Sequence, residues 1–236
     1  MIEKRPFGEL GHVQHGWLDA RHHFSFGQYV DRNRMSWGNL RVWNDDEIAP
    51  HSGFPTHPHR DMEIITFVRE GAITHRDSLG NEGRTEAGDV QVMSAGDGVR
   101  HSEYNLENET TRLFQIWILP REAGGEPRWD ARQFPRGARA GRLETLASGD
   151  ADDVEQGALL IRADARILGA TLAAGESLTH RPAPGRASYV VVSKGTISIN
   201  GVDLGTRDAA AIHDEQTLTI AANDDSEFLI AETAFN

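Results

Sequence analysis

His57-Pro58-His59 and His101-Ser102-Glu103 are two tripeptides that each place two metal-ligand side chains at positions i and i+2. On a β-strand, successive side chains point to opposite faces, so residues i and i+2 share a face and can reach one point in space. Two such strands side by side would form a metal site with four ligands. The residues around these tripeptides therefore decide what fold to expect.

Strand and turn signals surround both pairs. Residues 62–68 form a run rich in β-formers, which closes at Glu70-Gly71 and is followed directly by another strand-like run, as is typical of a hairpin. Gly88-Asp89 opens a further strand, and a glycine-rich turn at residues 96–98 precedes the second pair. We therefore expect both pairs at strand ends beside tight turns.

The composition is that of a globular protein, with 236 residues, of which 38% are hydrophobic and 25% charged. The sequence has no apolar run long enough for a membrane span and no signal-peptide core at its start, so we expect a cytoplasmic protein without membrane association. The chain has no cysteine, which excludes disulfides and thiolate ligands. The net charge of −12 argues against direct nucleic-acid binding and is compatible with a protein partner.

The second half of the sequence repeats the plan of the first. The run Glu70-Gly71-Ala72-Ile73-Thr74 has a counterpart in Lys194-Gly195-Thr196-Ile197-Ser198, and residues 89–93 match residues 208–212. This repeat predicts an all-β protein with two stacked antiparallel β-barrels and few short helices. Helix signals are sparse, and single turns are expected over residues 17–24 and 141–146.

The ligand pairs do not repeat with the rest of the pattern. The second half offers only His180 and His213, neither within a His-x-His pair. We therefore expect residues 1–125 to form an N-terminal metal-binding domain. Residues 126–236 would supply a linker and a degenerate C-terminal domain.

His57, His59 and His101 are the core of the expected metal site. Three imidazoles and one carboxylate, without sulfur, suit one first-row divalent ion that can hold six ligands. Two open positions would then remain for a chelating substrate and dioxygen. Fe(II) is our first choice, while Mn, Co, Ni, Cu and Zn suit the same donors. Glu103 and Glu63 both compete for the fourth position, since Glu63 follows His59 by four residues and its parity allows the same face.

These residues resemble a known family. Residues that look like the first cupin motif are Gly53, His57, His59, Glu63 and Gly71, and those that look like the second are Gly88, Gly96, His101 and Asn105. The stretches 15–19, 22–26, 56–63 and 93–105 further resemble the pirin family, and within it the bacterial pirin-like quercetin 2,3-dioxygenases.

The resemblance implies a bicupin fold and a ligand set of His57, His59, His101 and Glu103. It also implies a metal-dependent dioxygenase that opens the central ring of flavonols such as quercetin, with Glu103 as the group that takes the substrate proton. Glu63 would then line the cavity or support the ligands. The alternative function is a non-enzymatic regulator of the pirin type, or a metal or redox sensor, that binds a protein partner.

Overall fold

The computed structural model describes residues 1–235, and β-strands dominate it. The strands of the first half are β1 (Ile2–Arg5), β2 (Gly11–His15), β3 (Leu18–His22), β4 (Leu40–Ile48), β5 (Ser52–His59), β6 (Glu63–Glu70), β7 (Ala72–Asp77), β8 (Glu82–Glu86), β9 (Val90–Ser94), β10 (Val99–Asn105), β11 (Thr111–Ile118) and β12 (Arg128–Arg132). Those of the second half are β13 (Glu144–Ser148), β14 (Leu159–Leu160), β15 (Ala165–Leu172), β16 (Ser177–His180), β17 (Arg186–Lys194), β18 (Ile197–Ile199), β19 (Val202–Leu204), β20 (Ala209–Ile212), β21 (Leu218–Ala222) and β22 (Ser226–Ala234). Helical structure within residues 1–235 is limited to α1 (Ala151–Glu155) and the 3-10 turns Phe7–Glu9 and Arg136–Arg139, and no helix there is long and apolar enough to cross a membrane.

The strands form four sheets, two for each domain. In the first domain, the seven-stranded sheet β12-β9-β6-β11-β4-β3-β2 accompanies the four-stranded sheet β5-β10-β7-β8. The second domain repeats this with β1-β20-β17-β22-β15-β13-β14 and β16-β21-β18-β19. Each domain is a jellyroll of two sheets rather than a continuously bonded barrel. The expected all-β architecture of two stacked domains is confirmed.

One apolar core joins the two domains. It contains Phe67 and Phe114 from the first seven-stranded sheet together with Tyr189 and Leu229 from the second. The central strands of both sheets are therefore buried on both faces, as their almost unbroken apolar sequences require. Side chains on the other face of each large sheet point into the interior of their own jellyroll.

Two strands lie across the domain boundary that the sequence predicted at residue 125. The first strand, β1, pairs with β20 of the second domain, with Ile2 opposite Ile212. Strand β12 pairs with β9 of the first domain, with Trp129 opposite Met93. The segment from residue 126 onward thus begins with a strand of the first domain's large sheet before it continues to the second domain.

The two expected helical turns are wrong. Leu18–His22 forms β3, in which buried and half-buried residues alternate as they do on a strand with one face toward a core. Residues 144–148 form β13, which pairs with β15. The true helix, α1, begins after Asp150, whose side chain accepts a hydrogen bond from the Asp152 amide as an N-cap.

Gly53 lets β5 and β10 approach closely, and these are the strands that carry the histidines. A Cβ atom at this position would lie 2.2 Å from the Glu103 carbonyl oxygen and 2.6 Å from the Tyr104 Cα atom, both backbone atoms.

We expect Gly53→Ala to lower the free energy of unfolding by about 1–3 kcal/mol, the usual cost of overpacking, and to weaken metal binding. Chemical denaturation and metal titration measure both effects. Gly8→Ala is the control, since its Cβ meets nothing within 4 Å, and an equal effect there would contradict the prediction.

Candidate metal centre

The three histidines meet because β5 and β10 are hydrogen-bonded neighbours. His57 lies opposite His101, and His59 lies opposite Val99. One nitrogen from each of the three imidazoles falls within 4.8 Å of the others, and the Nε2 atoms of His57 and His101 are 3.1 Å apart. The i and i+2 spacing of the sequence thus brings together the three expected histidine ligands.

The protonation pattern of these rings fits a bound cation. His57 Nδ1 lies 2.7 Å from the Pro55 carbonyl oxygen, which can only accept, so the neutral ring keeps its proton on Nδ1 and its Nε2 bare. His59 Nε2 is buried without a hydrogen-bond partner. Two nitrogens at about 2.1 Å from one ion and at right angles to each other are about 3 Å apart, which is close to the observed His57–His101 spacing. These residues therefore can hold a metal ion.

Burial keeps two of the rings in the form that binds metal. It lowers the pKa of His59 to about 3, and the neighbouring His101 and His57 imidazoles act in the same direction. It likewise lowers the pKa of His101 to about 3, assisted by His57 and His75. Neutral imidazole is the ligating state, so neither ring must first lose a proton at neutral pH.

Glu103 is fully buried and held by three donors. Its Oε1 accepts from Gln91 Nε2 at 2.7 Å and from Thr66 Oγ1 at 3.3 Å, and its Oε2 accepts from Gln115 Nε2. Burial raises the pKa of Glu103, while the His75 and His57 imidazoles and the hydrogen bonds from Gln115 and Thr66 oppose the shift. A carboxylate has about four lone-pair sites, so about one remains free. Glu103 is not part of the three-histidine group within 4.8 Å, and its role as fourth ligand stays a prediction.

Glu63 does not line the cavity, and that expectation is wrong. Its Oε2 accepts from Ser94 Oγ at 2.6 Å and from the Arg162 backbone amide of the second domain at 3.0 Å. Strands β5 and β6 belong to different sheets, so residue parity counted from His59 does not carry across the connection between them. Glu63 stands on the face of β6 that meets the other domain.

Aromatic side chains flank the histidines. The Trp117 ring meets the His59 ring edge-on at 4.9 Å, and the Phe54 ring centroid is 6.4 Å from that of His57. Phe114, on the same strand as Trp117, packs on Trp43 in the interdomain core. The apolar wall of the site therefore comes from Phe54 and Trp117.

His22 and His23, which precede the central strands of the first domain, are buried and hydrogen-bonded within the protein. His22 Nδ1 pairs with Asn44 at 2.8 Å inside the first domain. His23 Nδ1 pairs with the Tyr189 hydroxyl of the second domain at 3.0 Å. Neither belongs to the metal-ligand group.

In the second domain, apolar residues replace the donors that hold Glu103. In the first domain, Thr66 lies opposite Gln91 on one neighbouring strand and Gln115 on the other. Val190 is its equivalent in the second domain, because each residue precedes the turn glycine of its hairpin by five positions. Val190 lies opposite Ala210 and Ile230. His180 bonds to Glu232 at 2.8 Å, and His213 bonds to the adjacent Asp214. Across residues 1–235, the group that could hold a metal is the one in the first domain.

Sequence reasoning missed the polar residues behind the ligands. Gln91 and Gln115 each stand between apolar residues of their strand, and this interruption was the available signal. His75 and Asp77 show the same i and i+2 spacing as the ligand pairs, and the side chains of both are almost fully buried. Each of these signals can be interpreted only when it is known which face of the strand points into the jellyroll.

Comparison with known proteins agrees with the fold. The pirin family model matches residues 3–118, and the model of the quercetinase C-terminal cupin domain matches residues 145–233. A pirin-like protein of Caulobacter vibrioides is 59% identical over 99% of this chain and 100% of its own length, and a quercetin 2,3-dioxygenase of Escherichia coli is 46% identical over 98% and 97%. The crystal structure of the bacterial pirin YhhW from Escherichia coli, in complex with nickel(II), covers 100% of both chains with a TM-score of 0.94 and 43% identity.

The two jellyrolls and the three-histidine group define a bicupin protein with a candidate metal centre in its first domain. The chain belongs to the pirin family.

We expect one divalent transition-metal ion per chain. His57→Ala and His101→Ala should each lose it, because each removes one of three converging imidazoles, whereas His180→Ala and His213→Ala should keep full occupancy. Elemental analysis of protein prepared without chelators or metal-affinity columns gives the stoichiometry. Equal metal loss in the second-domain variants would contradict a single centre.

Acid should destabilise the metal-free protein. The pKa of His59 and of His101 is about 3 in the folded protein, while an unfolded histidine has a value near 6.5. Between these values the unfolded chain binds more protons, so the free energy of unfolding falls as the pH is lowered from about 6.5 toward 3. Denaturant unfolding across this range measures the slope, which should be smaller in His101→Phe. An unchanged slope in that variant would refute the assignment.

Proposed function

We propose that this protein is a metal-dependent dioxygenase that opens the central ring of flavonols such as quercetin. The observation that carries the proposal is a buried carboxylate, Glu103, on the same strand and the same interior face as the ligand His101, within a site flanked by aromatic rings. The names of the Caulobacter and Escherichia relatives support the family and the substrate class. We propose His57, His59, His101 and Glu103 as the ligands and Fe(II) as the metal.

A divalent ion held there would supply a Lewis-acidic binding point and access to one-electron chemistry with dioxygen. The protein side chains supply the rest. Phe54 and Trp117 offer flat apolar surface for the aromatic rings of a flavonol. In the overall reaction, one flavonol and one dioxygen yield a ring-opened ester and one carbon monoxide.

Glu103 is suited to take the proton of the flavonol 3-hydroxyl group. Its raised pKa brings it closer to neutral pH than an exposed glutamate, which favours proton transfer in both directions. Gln91, Gln115 and Thr66 hold the carboxylate in place through donors only. Proton removal makes the central ring electron-rich, so it reacts more readily with dioxygen.

Glu103→Gln should reduce quercetin turnover about 100-fold or more, the usual loss when a general base is removed, while three imidazoles still retain part of the metal. The decay of flavonol absorbance under air, with carbon monoxide release and metal content measured on the same samples, separates chemistry from occupancy.

Glu63→Gln is the matched control, because Glu63 is an equally buried glutamate that faces the other domain. It should retain both metal and turnover. If Glu63→Gln abolishes turnover and Glu103→Gln does not, the carboxylate is misassigned. If metal-loaded wild-type protein consumes no flavonol, the regulator or sensor becomes the better description.

A further inference from the structure

We propose that His75 and Asp77 are positioning residues that fix the ring orientation and the proton of the ligand His101. His75 Nδ1 lies 3.3 Å from His101 Nδ1, and His75 Nε2 lies 3.2 Å from Asp77 Oδ2. The three side chains form a buried chain that leads away from the metal centre. The inference rests on the proposed metal centre and is independent of the flavonol reaction.

The direction of each hydrogen bond in this chain follows from its ends. The Asp77 carboxylate can only accept, so His75 carries a proton on Nε2 and, when neutral, has a bare Nδ1. That bare nitrogen accepts a hydrogen bond from the protonated Nδ1 of His101. His101 Nε2 is then left with a free lone pair directed toward His57 Nε2, which is 3.1 Å away.

Asp77 is itself held in one orientation. Its Oδ1 accepts from the backbone amides of Leu79 and Asn81, and its Oδ2 accepts from the Asn81 side chain at 2.8 Å. These donors lower the pKa of Asp77 against the opposing effect of burial, so the carboxylate stays ionised and cannot donate to His75. Asp77 therefore remains the acceptor of the hydrogen bond from His75 at neutral pH.

His75 is fixed by stacking as well as by hydrogen bonds. Its ring lies 8° from parallel to the Trp129 ring, with a centroid distance of 5.0 Å. Trp129 reaches this position because residue 83, opposite His75 on β8, is a glycine, and a Cβ there would lie 2.2 Å from the tryptophan ring. His75 is thus held between Trp129 on one side and His101 on the other.

This arrangement is of the kind that raises the affinity of a metal site, because a fixed second hydrogen bond sets the tautomer of the ligand. His75→Phe keeps a flat ring against Trp129 but removes the acceptor. We expect it to weaken Co(II) binding by about 10- to 100-fold, measured by competition with a chelator. His75→Gln, which restores a carbonyl acceptor, should recover part of the loss.

His22→Phe is the matched control, since it makes the same change at a buried histidine of the same domain that pairs with Asn44 instead. It should leave Co(II) affinity within about twofold of wild type, well below the loss expected when a residue hydrogen-bonded to a metal ligand is removed. A loss as large as that of His75→Phe would assign the effect to general packing and overturn the proposal. Asp77→Asn, which is nearly isosteric, provides a second test if His75→Phe fails to fold, and it too should weaken binding.

A spectroscopic readout tests the proton directly. In Co(II)-loaded protein, the Nδ1 proton of His101 should give a paramagnetically shifted NMR signal that exchanges slowly with water, because it is buried and bonded to His75. The signal should broaden or exchange faster in both His75→Phe and Asp77→Asn. Wild-type affinity and unchanged exchange in these two variants would overturn the proposal.

Discussion

The face-to-face packing of the two seven-stranded sheets is the constraint on which the rest of the molecule depends. It buries β6 and β11 on both faces, so the parity of a residue decides which of two environments it occupies. Ile65 and Phe67 enter the apolar core between the domains, whereas Thr66, between them, points toward Glu103. One face of the first domain's large sheet thus packs against the second domain, and its other face carries the side chains that hold Glu103.

The two domains have matching strand pairings around these positions, and a small set of side chains distinguishes the domain with the candidate site from the other. Burying a carboxylate without donors is costly, so Glu103 is tolerated only together with Thr66, Gln91 and Gln115. Val190 and Ile230 occupy the equivalent positions in the second domain, and they offer no donor to a carboxylate and belong to an apolar cluster. Glu103 therefore depends on the three polar side chains that hold it.

The sequence was most informative where function depends on local spacing. His57, His59 and His101 could be predicted because i and i+2 residues share a face on any strand, and Gly71 and Gly195 marked the duplicated hairpins. Glu63 could not be placed, since its environment depends on the crossing from one sheet to another. The roles of His75 and Trp129 depend on contacts between β7 and β12, which lie in different sheets and far apart along the chain.

The exchange of β1 and β12 makes the two cupin units inseparable. β1 precedes every other strand of the first domain yet completes the large sheet of the second. No single cut of the chain therefore yields two complete jellyrolls. A fragment of the second half lacks the edge strand β1, and a fragment of the first half contains β1 without its partner β20. During synthesis, β1 can pair only after β20 has been made, so the large sheet of the second domain lacks this edge strand until most of the chain exists.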